Sequence, residues 1–124
     1  MIYIYYSDRF LREGRMLEEL LRSTIGNDAI SRLPNISKLA HQLMLPQIQP
    51  SGTNLYVLWA GDSADLHAFL RIRDLLTDVR CVLILPDQNA TTISHGHSLC
   101  PRHIAFDGDD HAATAEIIKK IVIS

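Results

Sequence analysis

Carboxylates stand at several places where an apolar run of this chain gives way to a helical pattern: Asp8, Asp62, Asp87, and Asp109 or Asp110. In many α/β proteins an acid at such a corner does chemistry, as a nucleophile or as a ligand for a hard cation. It also has a plain structural use. Aspartate is a preferred helix N-cap, because its carboxylate accepts the orphan N–H groups of the first turn. Asp62 concentrates the question. It follows Trp59-Ala60-Gly61 and opens "DSAD", which resembles a capping box with Asp65 in the place usually held by Glu or Gln. The cap is the favoured reading of Asp62, at a cost of about 1 kcal/mol if the side chain is removed. Asp8 and Asp62 are the candidate pair for a divalent cation, yet hard cations want several oxygen ligands and two acids supply few.

A second group of reactive residue types lies in "HGHSLCPRH": His95, His97, Cys100 and His103. All are zinc-ligand types. Their spacing is tighter than the pair-then-long-gap zinc pattern, and it would wrap the chain round an ion just where a strand should begin. Surface histidines around a buried Cys100 are the plainer account, with His97 and Cys100 at i,i+3 the pair to watch. Cys100 has no visible orienting acid. Cys81 lies inside an apolar run, where a reduced, buried thiol is expected. No G-x-S-x-G elbow, Walker loop or G-x-G-x-x-G occurs.

The chain that must position these residues has 124 of them, near the usual size of one domain, so a single core over residues 1–124 is expected. Hydrophobic residues make up 47% and charged residues 21%, as in globular proteins generally. A net charge of −2 offers no broad basic field for nucleic acid and no polybasic patch for a membrane surface. No apolar run approaches the roughly 20 residues that span a bilayer. "MIYIYYSDRF" lacks a basic n-region and a cleavage site, which points to a cytoplasmic protein. Two cysteines make no disulfide framework.

Strand and helix patterns alternate. "MIYIYY" is apolar on both faces, as a central parallel strand should be. "SDRFLREGRMLEELLRSTIG" is a helix with Arg15–Glu19 and Glu18–Arg22 as i,i+4 pairs and Gly26 as its stop. "DAISRLP" holds a short strand. "NISKLAHQLMLP" is a second helix with Ile36, Leu39, Ala40, Leu43 and Met44 on one face, and "QIQPSGTN" is a loop. "LYVLWA" is the third strand, and Leu66, Phe69, Leu70, Ile72, Leu75 and Leu76 mark the third helix. "VRCVLILP" is the fourth strand, "DQNATTISHGHSLCP" a weakly periodic segment with a short helix, "RHIAFDG" the fifth strand. "DDHAATAEIIKKIV" is the last helix, with Ile117, Ile118, Ile121 and Val122 inward. Right-handed crossovers make this a doubly wound, three-layer α/β fold, a flavodoxin-like parallel sheet in the order 2-1-3-4-5. Its functional edge lies at the carboxyl ends of the first, third, fourth and fifth strands.

At this point the chain resembles the receiver domain of bacterial response regulators over nearly its whole length. "FLRIRDLLTDVRCVLIL" carries the likeness most clearly, and "RHIAFDGDDHAATAEIIKKIV" looks like the last strand and helix. The resemblance implies an acidic pair after the first strand, where this chain has Ser7-Asp8. It implies a phosphoacceptor aspartate at the end of the third strand, where Trp59 and Ala60 stand and Asp62 comes later. A hydroxyl is due after the fourth strand, where Pro86 and Asp87 lie. A lysine is due after the fifth, where the text is Phe106-Asp107-Gly108. Phosphoryl transfer needs a metal and a cation to neutralise charge, and Asp107 in the lysine's place would repel the phosphate. The chain thus resembles a pseudo-receiver of the two-component signalling type that has lost its phosphorylation machinery, neither an enzyme nor a cofactor carrier. It would act by binding another protein or itself, and receivers often pair through the region that corresponds here to 88–122. The alternatives are a divergent receiver phosphorylated on Asp62 or Asp8, and a flavodoxin-like small-molecule binder. Tyr5-Tyr6-Ser7 is similar to the start of a flavodoxin, but "SDRFLREG" puts Arg and Phe where a flavin phosphate needs a small, hydroxyl-rich cradle.

Overall fold

Five short runs of β-branched, aromatic and leucine residues pair side by side in a computed structural model that describes residues 1–26, 30–45 and 54–123. They are β1 (Ile2–Tyr5), β2 (Ile30–Leu33), β3 (Leu55–Trp59), β4 (Arg80–Leu85) and β5 (His103–Phe106). Every pairing is parallel and the order is β2-β1-β3-β4-β5, the flavodoxin-like order. In register, Ile2 lies between Ile30 and Leu55, and Trp59 lies beside Ile84. The "QIQPSGT" part of the expected loop and the "DA" before β2 lie outside the described residues.

Among the described residues six α-helices cover the sheet: α1 (Leu11–Ile25), α2 (Ile36–Met44), α3 (Ser63–Arg71), α4 (Arg73–Leu76), α5 (Ala90–His97) and α6 (His111–Ile123). Alternate strand residues feed opposite faces. Ile2, Ile4, Val57, Trp59, Val82 and Ile84 pack with Leu17 and Leu21 of α1 and Ala115 and Ile118 of α6. Tyr5, Tyr56, Leu58, Leu83 and Leu85 pack with Leu39, Leu43, Leu66 and Phe69 of α2 and α3. Burying a large apolar side chain contributes about 1.5–3 kcal/mol, so the doubly buried β3, wholly inaccessible along its length, anchors both layers.

Asn35 caps α2 through Lys38 N–H (2.8 Å). Several local readings hold. Gly26 ends α1 at a φ of 127°, a region glycine enters without strain, and donates its N–H to the Arg22 carbonyl. Arg22 pairs with Glu18 at 2.6 Å. Others shift. A 3-10 turn over Asp8–Phe10 precedes α1, so the helix begins later than its pattern suggested. The single third helix expected from periodicity is divided at Ile72 into α3 and α4. Met44 does not face inward; it is 67% exposed at the end of α2. No helix among the described residues is long and apolar enough to cross a membrane.

Candidate functional site

The loops that leave β1, β3, β4 and β5 meet at one end of the sheet, and all the corner aspartates lie there. Asp62 takes an extended backbone, and its Oδ1 accepts the Asp65 N–H at 2.9 Å, so it is the N-cap of α3. Asp65 completes the box in an altered way. Its Oδ2 accepts the Gly61 N–H (3.1 Å) and stands 3.4 Å from the Ser7 hydroxyl that donates to it. Unlike Asp62, it is buried, with a side chain only 5% exposed. A carboxylate withdrawn from water in this way needs charged partners.

The partner comes from β1's loop. The Arg9 guanidinium sits 2.7 Å from Asp65 Oδ1 and 2.9 Å from Asp62 Oδ2, bridging both acids. The negative charges of Asp65 and then of Asp62 raise the Arg9 pKa further above its ordinary value. The next residue, Phe10, lays its ring against the backbone of Gly61, so closely that a Cβ there would fall 2.2 Å from the ring. One tripeptide turn therefore supplies both a fixed cation and an apolar cover over the corner that follows β3.

The remaining sequence candidates separate. Asp8 is 84% exposed and pairs with Arg32 (3.1 Å), whose guanidinium also lies 4.2 Å above the Tyr6 ring. Asp8 and Asp62 are thus held by different arginines. Among the described residues no three His, Cys, Asp or Glu side chains are placed to hold a metal ion. Trp59 and Ala60 are fully buried, so the end of β3 presents no reactive group. Trp59 packs in the core, 5.1 Å from the ring of His111, and its indole N–H finds no acceptor among the described residues. Pro86 leads to Asp87, whose carboxylate accepts the Asn89 N–H (2.9 Å). Asp107 is exposed and its N–H bonds the Leu85 carbonyl. Asp109 accepts from Phe106 N–H and Asp110 from Ala112 N–H, shaping the turn into α6.

No family model, curated protein or solved structure matches this chain. The reading of the edge therefore rests on its own residues.

The histidine segment also spreads out. His95 and His97 lie in α5, His103 begins β5, and Cys100 lies between them at a φ of 54°. His95 lies tilted against His67 of α3, ring centroids 5.7 Å apart, a pairing invisible in the local pattern. Cys100 is exposed, contrary to the expected burial; Leu99, 1% exposed, takes the inward place instead. Cys81 is the buried thiol, and burial, followed by the nearby Cys100, pushes its pKa up to about 11. Native protein treated with a maleimide at neutral pH should label at Cys100 alone. Mass spectrometry should find Cys81 modified only after denaturation; rapid double labelling of native protein would contradict its burial.

Proposed function

We propose that this chain is a non-catalytic signalling and protein-interaction module on a receiver-like fold, related in pattern to two-component regulators but not controlled by phosphate. One observation carries the reading. The corner where a receiver would gather metal and phosphate is held by the chain's own Arg9, bridging Asp62 and Asp65, with Phe10 over Gly61. A guanidinium bonded to two carboxylates offsets one of their two negative charges and occupies oxygen atoms that a divalent cation would need. An incoming phosphoryl group would meet Asp8, Asp62, Asp87 and Asp107 without a free lysine beside Phe106, and transfer depends on charge neutralisation at that point. The module then works through protein contacts, with a protein partner or a second copy of itself.

Amide NMR with beryllofluoride and Mg²⁺ tests this. The proposed module shows no saturable shifts. Saturable changes clustered at Asp8, Asp62 and the first turn of α3 would establish a divergent phosphorylatable receiver instead.

A further inference from the structure

Among the described residues the exposed large apolar side chain at the centre of a helix is Met16, 52% exposed on α1. Two shallow grooves flank it on the outer side of that helix. One, of about 430 Å³, is lined by Leu11, Arg12, Arg15, Met16 and Glu19. The other, of about 360 Å³, is lined by Met16, Glu19, Leu20 and Ser23. Residues 12, 16, 19 and 23 follow the alternating four- and three-residue spacing of a helix–helix seam. Directly opposite, Gly14, Leu17 and Leu21 face the core. The strip is basic towards its N-terminal end, apolar at its middle and acidic beyond it.

We propose that this strip is a self-association surface, on which α1 of a second copy of the chain docks antiparallel. This goes beyond the functional reading above and does not depend on the likeness to receivers. A two-fold interface must be complementary to itself, since the same patch serves both subunits. This patch meets that condition in one operation. A two-fold axis passing between the two helices, level with the midpoint of Arg15 and Met16, sets Arg12 of one copy against Glu19 of the other. Arg12 and Glu19 each lie about 5 Å along the helix from that axis, by a rise of about 1.5 Å per residue. Arg15 falls beside the other copy's Met16, where its aliphatic stem covers the thioether and its guanidinium stays wet. Within the two grooves no lining residue is set against one of like charge. A crossing near 20° keeps such a seam in contact over several turns. The alternative region 88–122 offers no exposed large hydrophobic residue among those described.

One helix against one helix buries less than the roughly 1,200–2,000 Å² of a stable interface, so the dimer exchanges and fills only as concentration rises. Sedimentation velocity from about 10 μM to about 1 mM covers the range of such weak interfaces. The expected result is a concentration-dependent shift from monomer to dimer. Arg12→Glu or Glu19→Arg alone breaks both symmetric ion pairs and weakens the dimer about tenfold. The double variant Arg12→Glu/Glu19→Arg restores the pairs and returns affinity to near the parent value. Met16→Asp, also at an exposed position, abolishes association, while Lys119→Glu on α6 leaves it unchanged. Circular dichroism checks that each variant is folded. A chain that stays monomeric throughout overturns the proposal, as does a dimer indifferent to Met16→Asp, one the double variant fails to restore, or one broken by Lys119→Glu.

Discussion

Replacing Asp65 by alanine will lower the stability of the fold by about 3 kcal/mol, roughly three times the loss from replacing the more conspicuous Asp62. The difference follows from burial. Asp62 is partly exposed, and its loss removes one cap bond and one shared guanidinium contact that water can replace. Asp65 is inside. Its removal strands the Gly61 N–H beneath Phe10, takes the acceptor from the Ser7 hydroxyl and leaves Arg9 with a single acid. A buried donor without an acceptor costs about 1–3 kcal/mol, and a bond to a charged group contributes about 1.5–3 kcal/mol. Thermal melts should show a fall of about 10 °C for Asp65→Ala against about 4 °C for Asp62→Ala, at about 2.1 cal/mol/K of unfolding entropy per residue. Asp65→Asn, which keeps an acceptor but not the charge, should fall between them. Salt should recover little of the Asp65→Ala loss, since the bonds to Gly61 and Ser7 are shielded from it. Equal losses at the two positions would show that the carboxylates act only as a surface pair.

The contrast marks how far local pattern reaches. The cap at Asp62 spans three residues, and its geometry is encoded in "DSAD" itself. The parallel sheet was also legible, because strands buried on both faces leave dense apolar runs and the helices between them leave a 3.6-residue period. The Arg9–Asp65 bridge joins positions 56 apart. Its trace in the sequence was the arrangement of Arg9 and Phe10 in a corner where a phosphate cradle would carry small residues. Nothing in that turn says which acid the arginine will reach. The break at Ile72 has no glycine or proline to announce it, so the apolar spacing of α3 runs on into α4. In "SLCP" either Leu99 or Cys100 satisfies an inward-facing position, and the positive φ of Cys100 decides between them.

These features join into one physical picture of the carboxyl edge. In sheets of this order the edge is open because glycines and small polar residues leave room for a ligand. Here the turn after β1 closes it with a cation and an aromatic ring, while Asp8, Asp62 and Asp65 are held by arginine and Asp87, Asp109 and Asp110 accept nearby turn N–H groups. In the proposed module, contact then falls to the outer faces of the helices, and α1 is the helix that links the two. It begins where the closed turn ends, at Leu11, and carries Met16 outward less than two turns later. Whatever fixes the seat of α1 on the sheet therefore fixes both the closed corner and the proposed docking strip.

That seat is made by Gly14 and Tyr6, and Gly14→Ala will destabilise the fold by about 2–3 kcal/mol although the same change in an ordinary helix stabilises by about 1 kcal/mol. An added Cβ would fall 2.1 Å from Cγ of the Tyr6 ring, far inside contact distance. The ring has nowhere to go. It is 1% exposed, its hydroxyl donates to Glu18 at 2.6 Å, and the Arg32 guanidinium, itself tied to Asp8, lies on its face. Burial, then the hydrogen bond to Glu18, pushes the Tyr6 hydroxyl up to about 12, so it remains a donor throughout the range in which the protein would be handled. Burial would also raise the Glu18 carboxyl, but the bonds from Tyr6 and Arg22 and the charge of Arg22 outweigh it and hold that group below its ordinary value. Relief must therefore come from α1 moving off the sheet, which loosens Leu17 and Leu21 in the core behind it. Urea unfolding of the single and paired variants checks the cause. In a Tyr6→Ala background the ring is gone, and there Gly14→Ala should reverse sign and stabilise by about 1 kcal/mol. A stabilising Gly14→Ala in the parent chain would mean that α1 does not rest on Tyr6.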